Sequence, residues 1–291
     1  MTRRSIAHTT DTAAPHYRST LVSLSAGTVA LVLAGGKGTR LRASCDPELQ
    51  RTPKVLVPID TDAGRTPMLG HALAQLAAAG FRRIAVLTSA DPATGAEAVE
   101  TYALTHPAAR HVELTIHRED HPLGTAGAAY AALTDLPDVP AAVVMPADGY
   151  YPFTLLPSAV ARHRSRSLAI TWTVTTSPGP GAQNAGRLFL DPGGDRVVHA
   201  LEGVDATLPA EARDGLRQAT STGAVLLDPD PFRSLFEAYV RRLAHPGEAD
   251  LYRHVMPWAL SQGHPIGAFD IGTSAPDLGT PERLAAFGRT A

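Results

Sequence analysis

The sequence is short of the residues that staple a fold or gather a soft metal. One cysteine, Cys45, stands among 291 residues, which excludes an intrachain disulfide and a cysteine-based zinc site. A chain without staples fits a reducing compartment, so a cytoplasmic location is expected. Neither sign of charge dominates: 26 basic against 28 acidic residues leave a net charge of −2, and no global field draws the chain to nucleic acid. No run approaches the ~18–20 apolar residues needed to span a bilayer. Neither nucleic acid nor membrane is an expected partner. The 12 histidines include no His-x-His or His-Glu-x-x-His pair, which argues against a histidine metal site. Residues 1–26 carry Arg3 and Arg4 but lack the continuous apolar stretch of a secretory signal, and a loosely ordered arm is expected there.

What is present is an alternation. Hydrophobic residues make up 44% of the chain, enough for a sizeable core in two small domains or one large α/β unit. Thr28–Leu33 (TVALVL) is a β-branched apolar run ending in glycines, which reads as a buried parallel strand. Met68–Ala79 has apolar residues at helical spacing and stops at Gly80. Strands are expected at 83–88, 112–116 and 141–145, with helices near 94–104 and 125–133. That order implies a parallel sheet with helices on both faces. After about residue 150 the pattern becomes α+β. It comprises a helix near 153–164, strands at 168–174 and 224–227, a hairpin of 187–190 with 196–201, helices near 231–243 and 249–260, a strand at 266–269 and a terminal helix.

The first strand runs straight into Leu33-Ala34-Gly35-Gly36-Lys37-Gly38-Thr39-Arg40-Leu41. Its glycines let backbone N–H groups approach a phosphate and form an anion nest. The Gly/Lys/Thr order does not fit a Walker loop, and Leu41 stands where a Rossmann fingerprint needs its third glycine. A plain structural turn is the bland alternative. Arg40 weighs against it, because it sets a delocalised cation beside the nest.

This loop resembles that of the sugar-1-phosphate nucleotidyltransferases, of the GDP-mannose and dTDP-glucose pyrophosphorylase type. Their Leu-Ala-Gly-Gly-x-Gly-Thr-Arg-Leu is matched at every fixed position from Leu33 to Leu41. Their next element, a Pro-Lys segment with a phosphate-binding lysine, is matched by Pro53-Lys54. Between the two lies an insertion, 44–50, expected to reshape the loop over the triphosphate. The resemblance implies a Rossmann-like, mainly parallel mixed sheet of the glycosyltransferase-A-like type, with an α+β sugar-binding half. One domain over 27–291 is then expected, residues 27–150 holding nucleotide and 151–291 sugar phosphate.

The resemblance also assigns residues. Leu33, Ala34, Gly35, Gly36, Gly38 and Thr39 hold the triphosphate, and Arg40 and Lys54 neutralise its charge. His121, Gly124 and Thr125, in the segment His121-Pro-Leu-Gly-Thr-Ala-Gly-Ala128, meet the base and ribose. The LGTAGA form tilts towards guanylyl transfer. Asp148 is catalytic and binds Mg²⁺, with a second carboxylate expected from Asp270 in Asp270-Ile-Gly-Thr273, which resembles the family's Asp-x-Gly-Thr segment. On the sugar side, Gly186, Glu202, Thr222 and Gly223 match family contacts. Gly203 stands in place of the family's sugar-phosphate lysine, leaving Arg187, Arg196 or Lys37 as substitutes. The implied reaction joins a nucleoside triphosphate to a sugar 1-phosphate and expels pyrophosphate, with Mg²⁺ as cofactor. The alternative is a catalytically inactive homologue that senses nucleotide-sugars and regulates a partner. Which base, which sugar or cyclitol phosphate, and whether the chain forms a homo-oligomer are left open.

Overall fold

The computed structural model describes residues 23–43, 46–177, 187–201, 208–243 and 247–288. The first strand, β1 (Val29–Leu33), explains the two-sided core. Its residues alternate: Val29 and Leu31 enter one hydrophobic cluster, Ala30 and Val32 the other. With both faces buried, the strand reads as a continuous apolar run. Of the expected N-terminal arm, only residues 23–26 are described. They are helical rather than loose, with Ser25 buried and Leu24 packed on the core.

Two short helices follow β1, α1 (Thr39–Arg42) and α2 (Pro47–Arg51). The second lies within and just after the insertion. It forms because Asp46 caps Glu48 N–H and Pro47 opens the first turn. A two-stranded hairpin, β2 (Pro58–Thr61) and β3 (Gly64–Pro67), stands apart from the main sheet and was not expected from the sequence. Then come α3 (Met68–Ala78), β4 (Arg83–Ser89), α4 (Ala96–Thr105), β5 (Glu113–Glu119), α5 (Gly124–Asp135), β6 (Ala142–Pro146), α6 (Leu156–Arg166) and β7 (Ile170–Thr175). Strands β4 and β6 flank β1, and all of β5, β4, β1 and β6 run parallel. Helices α3, α4 and α6 cover the Ala30/Val32 face, while α5 covers the other.

The second half extends the same sheet. The β8 (Arg187–Leu190) and β9 (Arg196–Leu201) hairpin forms as expected. Its turn is closed by Asp191, whose Oδ1 accepts Asp195 N–H at 2.7 Å. Strand β10 (Arg217–Leu227) is longer than the four residues read as strand. Its polar first half carries no apolar run, and pairing with β8 rather than burial makes it a strand. β10 lies antiparallel between β6 and β7, and β11 (Ile266–Asp270) runs parallel to β7. β9 joins β11, and β8 returns to β10, so strands β10, β7, β11, β9 and β8 close on themselves. Helices α7 (Pro229–Arg241) and α8 (Met256–Ser261) pack on the α5 side. The helix expected over 249–260 begins at Leu251 as one wide π-helical turn, Leu251–Val255, and continues as α8; Asp250 Oδ1 caps its start by accepting Tyr252 and Arg253 N–H. The last helix is α9 (Pro281–Phe287). Among the described residues no helix is long and apolar enough to cross a membrane.

Candidate active site

The glycine loop lies at the carboxyl end of β1, the edge of a parallel sheet where ligands gather. Ala34 N–H continues the β1–β4 ladder to Leu87 O at 2.8 Å. A Cβ on Gly35 would meet Ser89 N at 3.2 Å, and one on Gly38 would meet Lys54 Cβ at 2.9 Å. Gly38 also has φ +64°, a conformation that favours glycine. Gly36 has nothing within 4 Å of its missing side chain, so open space faces the loop there. Leu33 ends β1 partly buried, and Thr39 and Arg40 are exposed at the start of α1, anchored by buried Leu41. Lys37 is ion-paired with Asp91 at 2.8 Å.

Lys54 sits on a single helical turn, Lys54–Leu56, and its ammonium pairs with Asp148. Asp148 follows β6, where Ala147 N–H donates to Leu33 O at 3.1 Å and ties it to the glycine loop. Its carboxyl is buried, at 7% exposure for the residue. A third group arrives from the far end of the chain. Residues 276–278 pair with 148–150: Gly149 bridges Asp277, Leu278 N–H donates to Asp148 O at 3.0 Å, and Tyr150 N–H to Pro276 O at 2.9 Å. Asp277 is thereby set beside Asp148, its Oδ1 accepting Gly279 N–H at 2.8 Å and its Oδ2 meeting Arg283 on α9. Gly279 marks the point where the charges converge. A Cβ there would lie 2.8 Å from Asp148 Oδ2, 2.8 Å from Asp277 Oδ1 and 3.0 Å from Lys54 Nζ. Burial raises the Asp148 carboxyl above the usual range, and the neighbouring Asp277 charge adds to this while Lys54 opposes it.

This arrangement corrects the expected metal pair. Asp270 does end β11 at the same sheet edge, but β10 and β7 stand between β11 and β6. Its oxygens are engaged locally, by Thr176 N–H at 3.2 Å, Thr176 O–H at 2.6 Å and Gly272 N–H at 2.9 Å. Burial alone would raise its pKa, but these hydrogen bonds and the Arg217 charge outweigh it and lower it. The chain contains Asp-x-Gly-Thr twice, at Asp270 and at Asp277, and only the second copy reaches Asp148. Two facing carboxylates, one buried, suit a hard cation such as Mg²⁺, which takes few protein ligands and completes its shell with water and phosphate. Among the described residues no group of three or more His, Cys, Asp or Glu could hold a metal ion.

The residues expected at the base meet a strap from the second half. Gly124 opens α5 at φ +76°, and a Cβ on it would lie 2.6 Å from Ala249 backbone atoms. Thr125 Oγ1 accepts Leu251 N–H at 2.7 Å, and Ala126 N–H donates to Ala249 O at 2.9 Å. The Thr125 oxygen is thus engaged with the protein, while His121 is exposed. Of the residues expected at the sugar, Thr222 is buried and donates to Thr173 O at 2.9 Å, with the Thr173 hydroxyl 2.5 Å away. Its hydroxyl is spent inside the sheet, which corrects the expected sugar contact through that group. Gly223, at φ +87°, lies against Pro146, its C=O accepting the Tyr252 hydroxyl at 2.5 Å. Arg196 stands opposite Gly267 near the start of β11, the sheet end away from Asp148, so it does not replace the missing lysine. Gly186, Glu202 and Gly203 lie outside the described residues.

Comparison with known proteins bears on the family and the fold. The family model described as Nucleotidyl transferase matches residues 29–285. The bifunctional protein GlmU of Mycobacterium tuberculosis is 31% identical over 261 residues, covering 88% of this chain and 48% of that protein. The chain therefore spans about half the length of the curated relatives it matches first. A mannose-1-phosphate guanyltransferase from Schizosaccharomyces pombe is 39% identical over 98 residues, 34% of this chain and 24% of that protein. In fold, the chain is similar to the crystal structure of HddC from Yersinia pseudotuberculosis, with a TM-score of 0.65 at 18% identity, covering 90% of this chain and 99% of that one.

Proposed function

The chain belongs to the nucleotidyl transferase family, and from that premise we propose that it joins a nucleoside triphosphate to a sugar 1-phosphate. A non-bridging oxygen of the sugar phosphate attacks the α-phosphorus in line. The bond from that phosphorus to the β-phosphate oxygen breaks, and pyrophosphate leaves. The nucleophile is already ionised, so the chain needs no strong base and contributes positioning and charge neutralisation. The observation that carries the reading is the meeting of Lys54, Asp148 and Asp277 around Gly279, beside a glycine loop whose Gly38 rests on Lys54.

In this reading the N–H groups of Gly35–Gly38 cradle the triphosphate. Lys54 moves from Asp148 to the phosphates, and Arg40 joins it in balancing charge as the leaving group departs. Asp148 and Asp277 are the residues that would hold Mg²⁺, which supplies charge neutralisation and a template at the phosphates. The start of α5, Gly124 and Thr125, takes the base and ribose. Gly223 takes a sugar hydroxyl on the second lone pair of its C=O, with Gly186 and Glu202 proposed beside it on the resemblance. A guanine nucleotide is our first choice, on the LGTAGA segment and the guanyltransferase relative. A cytoplasmic location is proposed with it. The test is pyrophosphate release from purified protein, with GTP, ATP, UTP and dTTP each paired with hexose, heptose and cyclitol phosphates and Mg²⁺. Turnover with at least one pair is expected. Silence across the matrix, with retained nucleotide binding, would favour the regulatory homologue instead.

A further inference from the structure

The wide turn after α7 does more than connect helices. Four consecutive residues, Ala249 to Tyr252, touch both sides of the proposed site. Ala249 O accepts Ala126 N–H at 2.9 Å, Ala249 N–H donates to Leu123 O at 2.8 Å, and Leu251 N–H donates to Thr125 Oγ1 at 2.7 Å. These bonds fix the start of α5, the nucleotide side. One residue later the Tyr252 hydroxyl donates to Gly223 O at 2.5 Å, fixing the acceptor side. Asp250 makes the link stiff, since its carboxylate closes the turn onto Tyr252 and Arg253 N–H at 2.9 and 2.8 Å.

Gly223 needs such a hold. It sits where β10 loses register with β7, between Ser221 and Val225, in a left-handed conformation. Its own N–H donates to Ser221 Oγ at 3.2 Å, and Ser221 Oγ in turn accepts from Trp172 Nε1 at 2.8 Å. The Tyr252 ring lies 6.0 Å from Trp172, centroid to centroid. Its hydroxyl is thus aimed by ring packing at one carbonyl. Gly223 also lies against Pro146, two residues before Asp148, with 3.4 Å from its would-be Cβ to Pro146 Cδ. The strap therefore has one end on the nucleotide element and the other on the turn that faces the acceptor and the metal carboxylates.

We propose that Tyr252 is a positioning residue that sets the Gly223 turn for the acceptor, and that residues 249–252 couple acceptor binding to occupancy of the nucleotide side. This rests on the nucleotidyl-transfer reading. A nucleotide that orders the start of α5 orders the strap, and the strap orders Gly223. Binding of the two substrates then becomes cooperative, reciprocally so.

The test is Tyr252→Phe, which removes one O–H and keeps the ring on Trp172. With the best pair from the matrix, the KM for the sugar phosphate should rise about 3- to 10-fold, the worth of one neutral hydrogen bond. The KM for the triphosphate should stay within about twofold, and kcat should change less than the acceptor KM. By calorimetry, saturating GTP should tighten mannose 1-phosphate binding in the wild-type chain and do so less in the variant. An acceptor KM and coupling equal to wild type would overturn the proposal, and so would an equal rise of both KM values with a large fall in Tm. If the wild-type chain neither turns over nor binds either probe, the functional reading itself falls and this inference falls with it. Wild-type turnover beside an unshifted variant removes the inference alone.

Discussion

Two polar clusters at one sheet edge treat charge in opposite ways. Around Gly279, Asp148 and Asp277 face one another with Lys54 against Asp148. Around Asp270 the carboxylate is held locally: Thr176 and Gly272 donate to it, and Arg217 stands 3.9 Å away. The first arrangement brings two carboxylates close together with one of them buried, which raises a pKa and makes a further cation between them favourable. The second is stable as it stands. Two carboxylates brought together mark the candidate site, while a single carboxylate held by its own local donors marks the scaffold.

Breaking the first cluster should have the largest effect. Lys54→Ala is expected to lower turnover ~10²–10³-fold, the scale of losing one transition-state donor, measured as pyrophosphate release per site. Near-normal turnover would remove Lys54 from the mechanism.

A scaffold group tests the other side of the comparison through pH. His163, on α6, is buried with Nδ1 2.8 Å from Thr171 Oγ1, and burial lowers its pKa to about 4. Its folded pKa lies below its unfolded value of about 6.5. The neutral form therefore contributes stability that is complete above pH ~6.5 and is lost as pH falls towards 4, about 3 kcal/mol in all. Urea melts between pH 7 and 4 should show this one-proton slope, and His163→Gln should flatten it. An unchanged slope in the variant would assign the acid sensitivity to another group.

A small effect on catalysis is expected at Thr222. Because its hydroxyl points into the sheet at Thr173 O, Thr222→Val should keep turnover within about threefold while losing about 1 kcal/mol of stability. A large rise in acceptor KM with an unchanged melt would instead return Thr222 to the sugar.

How much of this was legible follows from how local each feature is. The glycine loop and Asp148 stand out because each follows an apolar strand, whereas Lys54 is assigned only by the resemblance of its Pro-Lys step. The parallel half of the sheet was legible because β1, β4 and β6 are short apolar runs separated by helical periods. Asp277 was missed because Asp-x-Gly-Thr occurs twice and the first copy ends a visible strand. The second copy carried its own signal: Pro281 follows it, and Thr280 caps Arg283 N–H to open α9. Only its long-range pairing with residues 148–150 decides between the copies. The Leu251–Thr125 bond joins residues far apart in the chain, and the first half of β10 is too polar to read as a strand, so neither left a local trace.

The most direct test is a comparison of Asp277→Asn with Asp270→Asn, each assayed for pyrophosphate release across a Mg²⁺ titration. Asp277→Asn should need a higher Mg²⁺ concentration for half-maximal rate and reach a maximum at least tenfold lower. Asp270→Asn should keep the wild-type Mg²⁺ midpoint and lose only stability. The reverse pattern, with Asp270→Asn carrying the Mg²⁺ defect and Asp277→Asn behaving as wild type, would contradict the site described here.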